Sequence, residues 1–410
     1  DISSIIKQKN DYYIGFKSSG LIQLKYLPDS KVKYAIQSIN IQSGIFCLMK
    51  DRFQDIIWVG ADGQGIYMYF TDEFSIENVL LDVPEYRVNN PVRALFLDHE
   101  QTLWIGTKGG GILRMMDFHP DRETLPQAER ILANNSALMD NSVYSFAPGR
   151  RNSLWIGTED GLNYYSYLTR RIEEFPVIAD GKKVKYVHSI CETNDSTLWV
   201  VSAGEGIVKI TLEASSSLPK VKSAQRFTLD GGKRNSNYFF VSYQENDSTI
   251  WFGNRGYGAY KMNTRTNQLT PCRIDDVVKN QTVNDIFAIH KNDEGYWFGT
   301  SFGLTRLYQG EYRVYNETDG FPNNTIHGIL EGRDNNLWLS TNQGMVRFNV
   351  RENTVQTYRQ QGDLEVIEFS DGAFFKDQQT GTLFFGGTNG FITITENDHM
   401  SEEYLSLIHI

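Results

Sequence analysis

Leu103-Trp104-Ile105-Gly106-Thr107, followed by Gly111, returns as Leu154-Trp155-Ile156-Gly157-Thr158, followed by Gly161. Trp58, Trp199, Trp251, Trp297 and Trp338 anchor further copies, and Tyr13 and Phe384 take the aromatic place in the outermost two. The anchors stand 41 to 52 residues apart. Each is followed six or seven residues later by a second glycine: Gly20, Gly65, Gly111, Gly161, Gly206, Gly258, Gly303, Gly344 and Gly390. An internal period of this length outranks chain length as a guide to domain count.

Each part of the unit has a physical reading. The aromatic strand is short and β-rich, and its first glycine removes a side chain where backbones crowd. The second glycine gives the backbone freedom a tight turn needs. An apolar strand follows, as in Ile112-Leu113-Arg114-Met115, and another precedes the anchor, as in Val92-Arg93-Ala94-Leu95-Phe96-Leu97. A fourth, more polar strand fits at Tyr312-Arg313-Val314-Tyr315. Four antiparallel strands per period make the blade of a β-propeller. A lone blade cannot bury its faces, so blades must stack, with the tryptophan filling the gap between them. The expectation is an all-β chain with negligible helix.

Nine units do not by themselves fix the ring. The first begins directly at an inner-type strand, Ile2 to Ile6, and the last has no outer strand beyond Ile394. If the last seven units close into one ring, Phe74 to Val83 stands where the missing outer strand is needed. The preferred reading is therefore two blades of an upstream propeller over residues 1–84 and a seven-bladed β-propeller over 85–400. A strand opening a β-sandwich follows over 401–410. The alternative is one ring of eight or nine blades.

Composition bounds the function. The 410 residues are 40% apolar, 22% charged and 13% aromatic, with 35 glycines against 10 prolines, as in a folded globular chain of short strands and tight turns. Net charge is −10 with no basic run, which speaks against direct nucleic acid contact. No apolar run reaches membrane-spanning length. Cys47, Cys191 and Cys272 are too few and too scattered for a disulfide framework or a metal ribbon; all three read as free thiols, with Cys47 and Cys191 as core fillers. No hydrolase, nucleotide or metal motif is present, and no cofactor is expected. Carboxylates such as Asp293 and Glu294 sit in turns before a tryptophan strand, where turn formation accounts for them.

The repeat resembles that of two-component regulator propellers. GFPNNTIHGILEGRDNNLWLSTNQGMVRF (Gly320 to Phe348), then EFSDGAFFKDQQTGTLFFGGTNGF (Glu368 to Phe391), is similar to the closing blades of sensor regions in hybrid two-component systems of gut Bacteroidetes. The resemblance implies two seven-bladed propellers, a small β-sandwich, a membrane span, a histidine kinase and a DNA-binding regulator in the full protein. It also implies a periplasmic location, oligosaccharide ligands released from glycans and a homodimeric receptor. This chain would be a non-enzymatic sensory part, meeting the membrane only through a span outside it. The competing class is a propeller-fold polysaccharide lyase or glycosidase.

Candidate ligand contacts come from the turn after the tryptophan strand and from the starts of inner strands. Most copies carry small or polar residues in that turn. Arg255 and Tyr257 break the habit, as do Phe302, Lys108 and Glu205. His188, Tyr238 and His327 approach the same end from inner strands. A flat aromatic beside an arginine or carboxylate suits a sugar, which offers a stacking face and many hydroxyls.

Overall fold

The computed structural model describes residues 1–8, 11–26, 31–39, 41–52, 56–71, 74–120, 126–194, 196–214, 216–272, 274, 278–359, 364–366, 368–396 and 403–408. Among these the regular elements are all strands, apart from four short 3-10 helices. It forms nine four-stranded antiparallel sheets and one small hairpin, Ile178–Ala179 with Lys182–Lys183.

Seven sheets have inner strands Val92–Leu97, Val143–Gly149, Val187–Asn194, Phe239–Asn246, Ile286–Asn292, Ile326–Glu331 and Phe369–Lys376. Each inner strand packs on the next, and the seventh returns to the first, so the order is a closed cycle. These are called the first to seventh blades below. The seventh has only three strands of its own. Phe74–Leu80 adds the fourth, in register from Leu80 opposite Gly390 to Phe74 opposite Glu396. The segment offered by the sequence for this role thus lies on the seventh sheet.

The first 71 residues build two further sheets. Ile2–Gln8, Asp11–Phe16, Gly20–Tyr26 and Tyr34–Ile39 form one; Ile45–Lys50, Ile57–Ala61 and Gly65–Thr71 start the other. Tyr13, Ile45, Val59 and Tyr69 share a core between them. Of the stretch 401–410, read from sequence as opening a further domain, only residues 403–408 lie within the described residues, and they run along this second sheet. Glu403–Ile408 pairs with Gly65–Thr71, from Glu403 opposite Thr71 to Ile408 opposite Ile66, and so satisfies the backbone edge of that strand.

The pentapeptide motif explains the stacking. A Cβ on Gly106 would stand 2.8 Å from a methyl carbon of Val143, the first residue of the next blade's inner strand. The missing side chain therefore sets how closely blades approach. Gly344 has φ +102°, and a Cβ there would meet the Tyr358 carbonyl oxygen of the outer strand at 2.1 Å. The threonine ties down the turn: Thr107 Oγ1 donates to the Gly111 carbonyl at 2.9 Å, and Thr341 to that of Gly344 at 2.8 Å.

The tryptophans of all six ring blades that carry one are buried. Five indole N–H groups donate to a side-chain oxygen at the far end of an inner strand or its following turn, or on the next blade: Asp98, Glu192, Glu245, Asn292 and Glu396. Directly across the sheet, Arg114, Lys209, Lys261, Arg306 and Arg347 lie over the rings of Trp104, Trp199, Trp251, Trp297 and Trp338. A cation over an indole adds attraction beyond area burial. All three cysteines are free; Cys47, read from sequence as core, is exposed, and Cys191 and Cys272 are half-buried.

Candidate functional site

The cross-strand registers reveal a device absent from the motif itself. In the first blade Val92 faces Thr107 and Ala94 faces Gly106, so Arg93 has no partner. The same shift leaves out Tyr144, His188, Phe240, Phe287 and His327 in the next five blades. In the seventh it widens, and Ser370 to Ala373 together face Gly386. A β-bulge turns its extra residue off the regular face of the sheet. Here the seven bulges turn theirs toward one another across the ring.

The result is a collar. The guanidinium of Arg93 lies over the Tyr144 ring, 5.6 Å from its centroid. Tyr144 stacks on His188 with centroids 4.2 Å apart and planes 11° from parallel. His188 meets the edge of Phe240 at 4.9 Å. On the other side Phe287 packs on His327 at 5.6 Å. His327 Nδ1 lies 2.5 Å from Asp371 Oδ1, and its Nε2 lies 2.6 Å from Asn342 Oδ1. Inside the collar is a cavity of about 210 Å³, lined by the apolar residues Leu95, Phe146, Ile190, Ile289 and Phe374 and by Ser189 and Ser242.

The turns after the tryptophan strands frame the same mouth. The backbone N–H groups of Lys108, Glu159, Ala203 and Arg255 donate to the carbonyls of Pro91, Ser142, Tyr186 and Tyr238, which lead into the inner strands. Arg255 and Tyr257 are exposed there, Tyr257 between Gly256 and Gly258, both glycines at positive φ. Lys108 is exposed. Glu205 is held by Arg226, 3.2 Å away. Tyr238 accepts from Arg234 Nε at 3.0 Å and runs parallel to Phe240. Phe302 is half-buried and packs into the core between the fourth and fifth blades.

The structure thus joins His188 and Tyr238 through Phe240, and sets His327 on the opposite arc. Reading the sequence missed Arg93, Tyr144, Phe240, Phe287 and Asp371. Their shared position, one residue after the first apolar residue of each inner strand in the first six blades, was the available signal.

Protonation follows from this packing. Burial, then the charges of Arg93 and Lys108, pushes His188 down to about 3 against the pull of Asp371. It is therefore a neutral ring at neutral pH. Burial and the hydrogen bond to Glu159 push the Tyr144 hydroxyl up to about 12. Burial raises Asp371, but the contact with His327 and the charges of His327, Arg93 and Arg255 outweigh it and leave the carboxyl below its usual range.

His188 should make the fold acid-sensitive. The unfolded imidazole takes a proton near pH 6.5, whereas the folded one resists until about 3. Its contribution is complete above that unfolded value and is lost as pH falls through the window between them. The stability difference between wild type and His188→Phe should shift by about 1.4 kcal/mol per pH unit below pH 6, in favour of the variant. Urea titrations at pH 7, 6 and 5 check this, and parallel pH profiles would refute it.

Among the described residues no helix is long and apolar enough to cross a membrane, and no group of three or more metal-ligating side chains is assembled.

Comparison with known proteins places this geometry. Residues 87–109, 137–160 and 320–343 match the two component regulator propeller family, and the strands they include are the inner and tryptophan strands of the first, second and sixth blades. Histidine kinase P4 of Formosa agariphila is 23% identical over 316 residues, which is 74% of this chain and 22% of that protein. An extracellular domain described as that of a hybrid two component system of B. thetaiotaomicron superposes with a TM-score of 0.63 at 23% identity, covering 97% of this chain and 51% of its own. A second such domain from the same organism gives 0.63 at 20% identity, covering 98% and 53%. Virginiamycin B lyase from Staphylococcus aureus gives 0.56 at 16% identity, over 78% of this chain and 99% of its own. At these identities the structural likeness speaks to the fold alone. The chain spans about half of the two extracellular domains and about a fifth of the kinase. With the blades built as the repeat requires, this chain is a β-propeller, and three of its repeat copies match the two component regulator propeller family.

Proposed function

We propose that this chain is the ligand-sensing part of a hybrid two-component system, held in the periplasm, and that it recognises an oligosaccharide released from a glycan to control polysaccharide use. The observation that carries the reading is the collar. Tyr144, His188 and Phe240 help to line its cavity, while Arg93 and Arg255 bring charge to the ring and Asp371 and Asn342 are held by His327. Apolar walls with a few convergent polar groups are the usual form of a small-ligand site.

Binding is favoured over turnover by the state of His327. Both its ring nitrogens are engaged, with Asp371 and Asn342, so neither is open to take a proton from a substrate. In this reading the kinase, the membrane span and the DNA-binding regulator belong to other parts of the protein, and the receptor signals as a homodimer.

Titration calorimetry of the full chain against a panel of glycan oligosaccharides tests the proposal, with chromatography of each mixture. Saturable binding of one panel member without new products is expected. Product release that scales with protein concentration would replace sensing by a propeller-fold polysaccharide lyase or glycosidase. Binding of no panel member would remove the glycan assignment.

A further inference from the structure

Each blade has one outer-strand residue that faces the position after its second glycine. In the second, third, fifth and sixth blades that residue is Phe175, Phe227, Tyr315 and Tyr358, opposite Leu162, Ile207, Leu304 and Met345. Each ring lies against its own blade's tryptophan, with centroids 4.9, 5.8, 6.2 and 5.5 Å from Trp155, Trp199, Trp297 and Trp338. Each also joins the core shared with the next blade. Cys272 and Val79 hold the position in the fourth and seventh blades, where Tyr312 and Phe118 join the same cores.

In the first blade the position, opposite Ile112, is Ile131. The ring found in four other blades is missing there, and a cleft of about 490 Å³ opens between the outer strands Ala128–Ile131 and Arg171–Phe175 of the first and second blades. Small-ligand sites run from roughly 300 to 1,000 Å³. The cleft shares no lining residue with the collar cavity.

Buried Ile131 and half-buried side chains around Ile172 give it an apolar wall. Beside that wall the guanidinium of Arg114 lies over the rings of Trp104 and Tyr165, 5.3 and 5.7 Å from their centroids, and donates to Glu129 Oε2 at 2.5 Å. This fixes an acceptor and a donor side by side, and Glu129 is exposed, so its carboxylate keeps lone pairs for a further donor. Charge is balanced. Arg114, Arg170 and Arg171 line the cleft with Glu129 and Glu173, and Arg170 is paired outside it with Glu100. Such a wall draws neither an anion nor a cation, whereas its alternating donors and acceptors suit the neighbouring hydroxyls of a neutral sugar.

We propose that the cleft between the first and second blades is a saccharide site, holding one ring of a neutral sugar with its hydroxyls on Arg114, Glu129 and Arg171 and its C–H face on Ile131 and Ile172. This rests on the glycan reading above and adds a second place of contact, on the flank of the ring rather than at its mouth.

The full chain is titrated by calorimetry with mannotriose, xylotriose and galactotriose, and the titrations are repeated on Ile131→Phe and Glu129→Gln. Ile131→Phe puts into the cleft the ring that four other blades carry. It should abolish binding at this site; if the collar takes the same sugar, the stoichiometry should fall from two to one. Glu129→Gln should weaken binding at the cleft about 10-fold, at the lower end of the range for a hydrogen bond to a charged group. Thermal melts establish that each variant is folded, and should Ile131→Phe not fold, Glu129→Gln, a change at an exposed side chain, decides alone. Binding that keeps its affinity and stoichiometry in the folded variants overturns the cleft site and leaves the glycan reading in place. Binding of none of the three sugars overturns the cleft site as well, and the wider panel above then decides whether any glycan binds.

Discussion

A chain starting at residue 72 should fold into the same seven-sheet ring, and a chain starting at residue 82 should not. The difference is the single strand Phe74–Leu80. It completes the seventh blade through seven cross-strand pairs with Gly390–Glu396. It also brings Phe74 against Trp338, with ring centroids 4.8 Å apart, under the guanidinium of Arg347. Removing it leaves a full backbone edge unpaired and opens the core around Phe385, Ile392 and Ile394. An open strand edge is a template for pairing with other chains. The shorter chain is therefore expected to aggregate, or to melt lower by about 1–2 °C for each kcal/mol lost, as a chain of this size does. Size-exclusion chromatography and thermal melts of both truncations give the comparison. Equal behaviour would show that the ring closes without this strand.

Replacing Trp155 with alanine should cost about 3 to 5 kcal/mol, the range for removing a large buried aromatic. The indole is fully buried and packs edge-on against Phe175 at 4.9 Å. Its core runs into the next blade through Val187, Ile190 and Leu198. Its N–H donates to Glu192 Oε2 at 2.8 Å, so the variant both opens a cavity and takes a donor from a carboxylate. Trp58, only half-buried, supplies the contrast: Trp58→Ala should cost clearly less. Denaturant titrations of the two variants measure the difference. A near-neutral Trp155→Ala would mean that this indole does not join the blades.

The blades were legible because each is written repeatedly. Trp104 and Trp155 share one pentapeptide, and the physical demands on its glycine and threonine are met at the contacts of Gly106 and Thr107. The cation across from the indole was legible in principle, nine or ten residues after the tryptophan, yet Arg114 and Lys209 passed as ordinary strand residues. The collar was half legible. His188 and His327 stood out as polar residues in apolar strands. Phe240 and Phe287 did not, because an aromatic in a β-rich run reads as core. What sets them apart is a register shift, and register belongs to the partner strand, which a single run of residues does not show. Asp371 was hidden further by the wider bulge of the seventh blade.

The bulges also separate two kinds of change. A residue in the ladder is answerable to its cross-strand partner and to the core on its face. A bulged residue has no cross-strand partner and answers instead to the bulged neighbours it touches. Positions 93, 144, 188, 240, 287 and 327, with the looser stretch around 371, therefore act as a dial with seven settings on a fixed housing, each geared to the neighbours it touches. Turning one setting alters size, charge or polarity at the mouth without rewriting the blade behind it. A scaffold of this kind can diversify what it meets at the pace of single substitutions, while the tryptophan and glycine positions that hold the housing stay as they are.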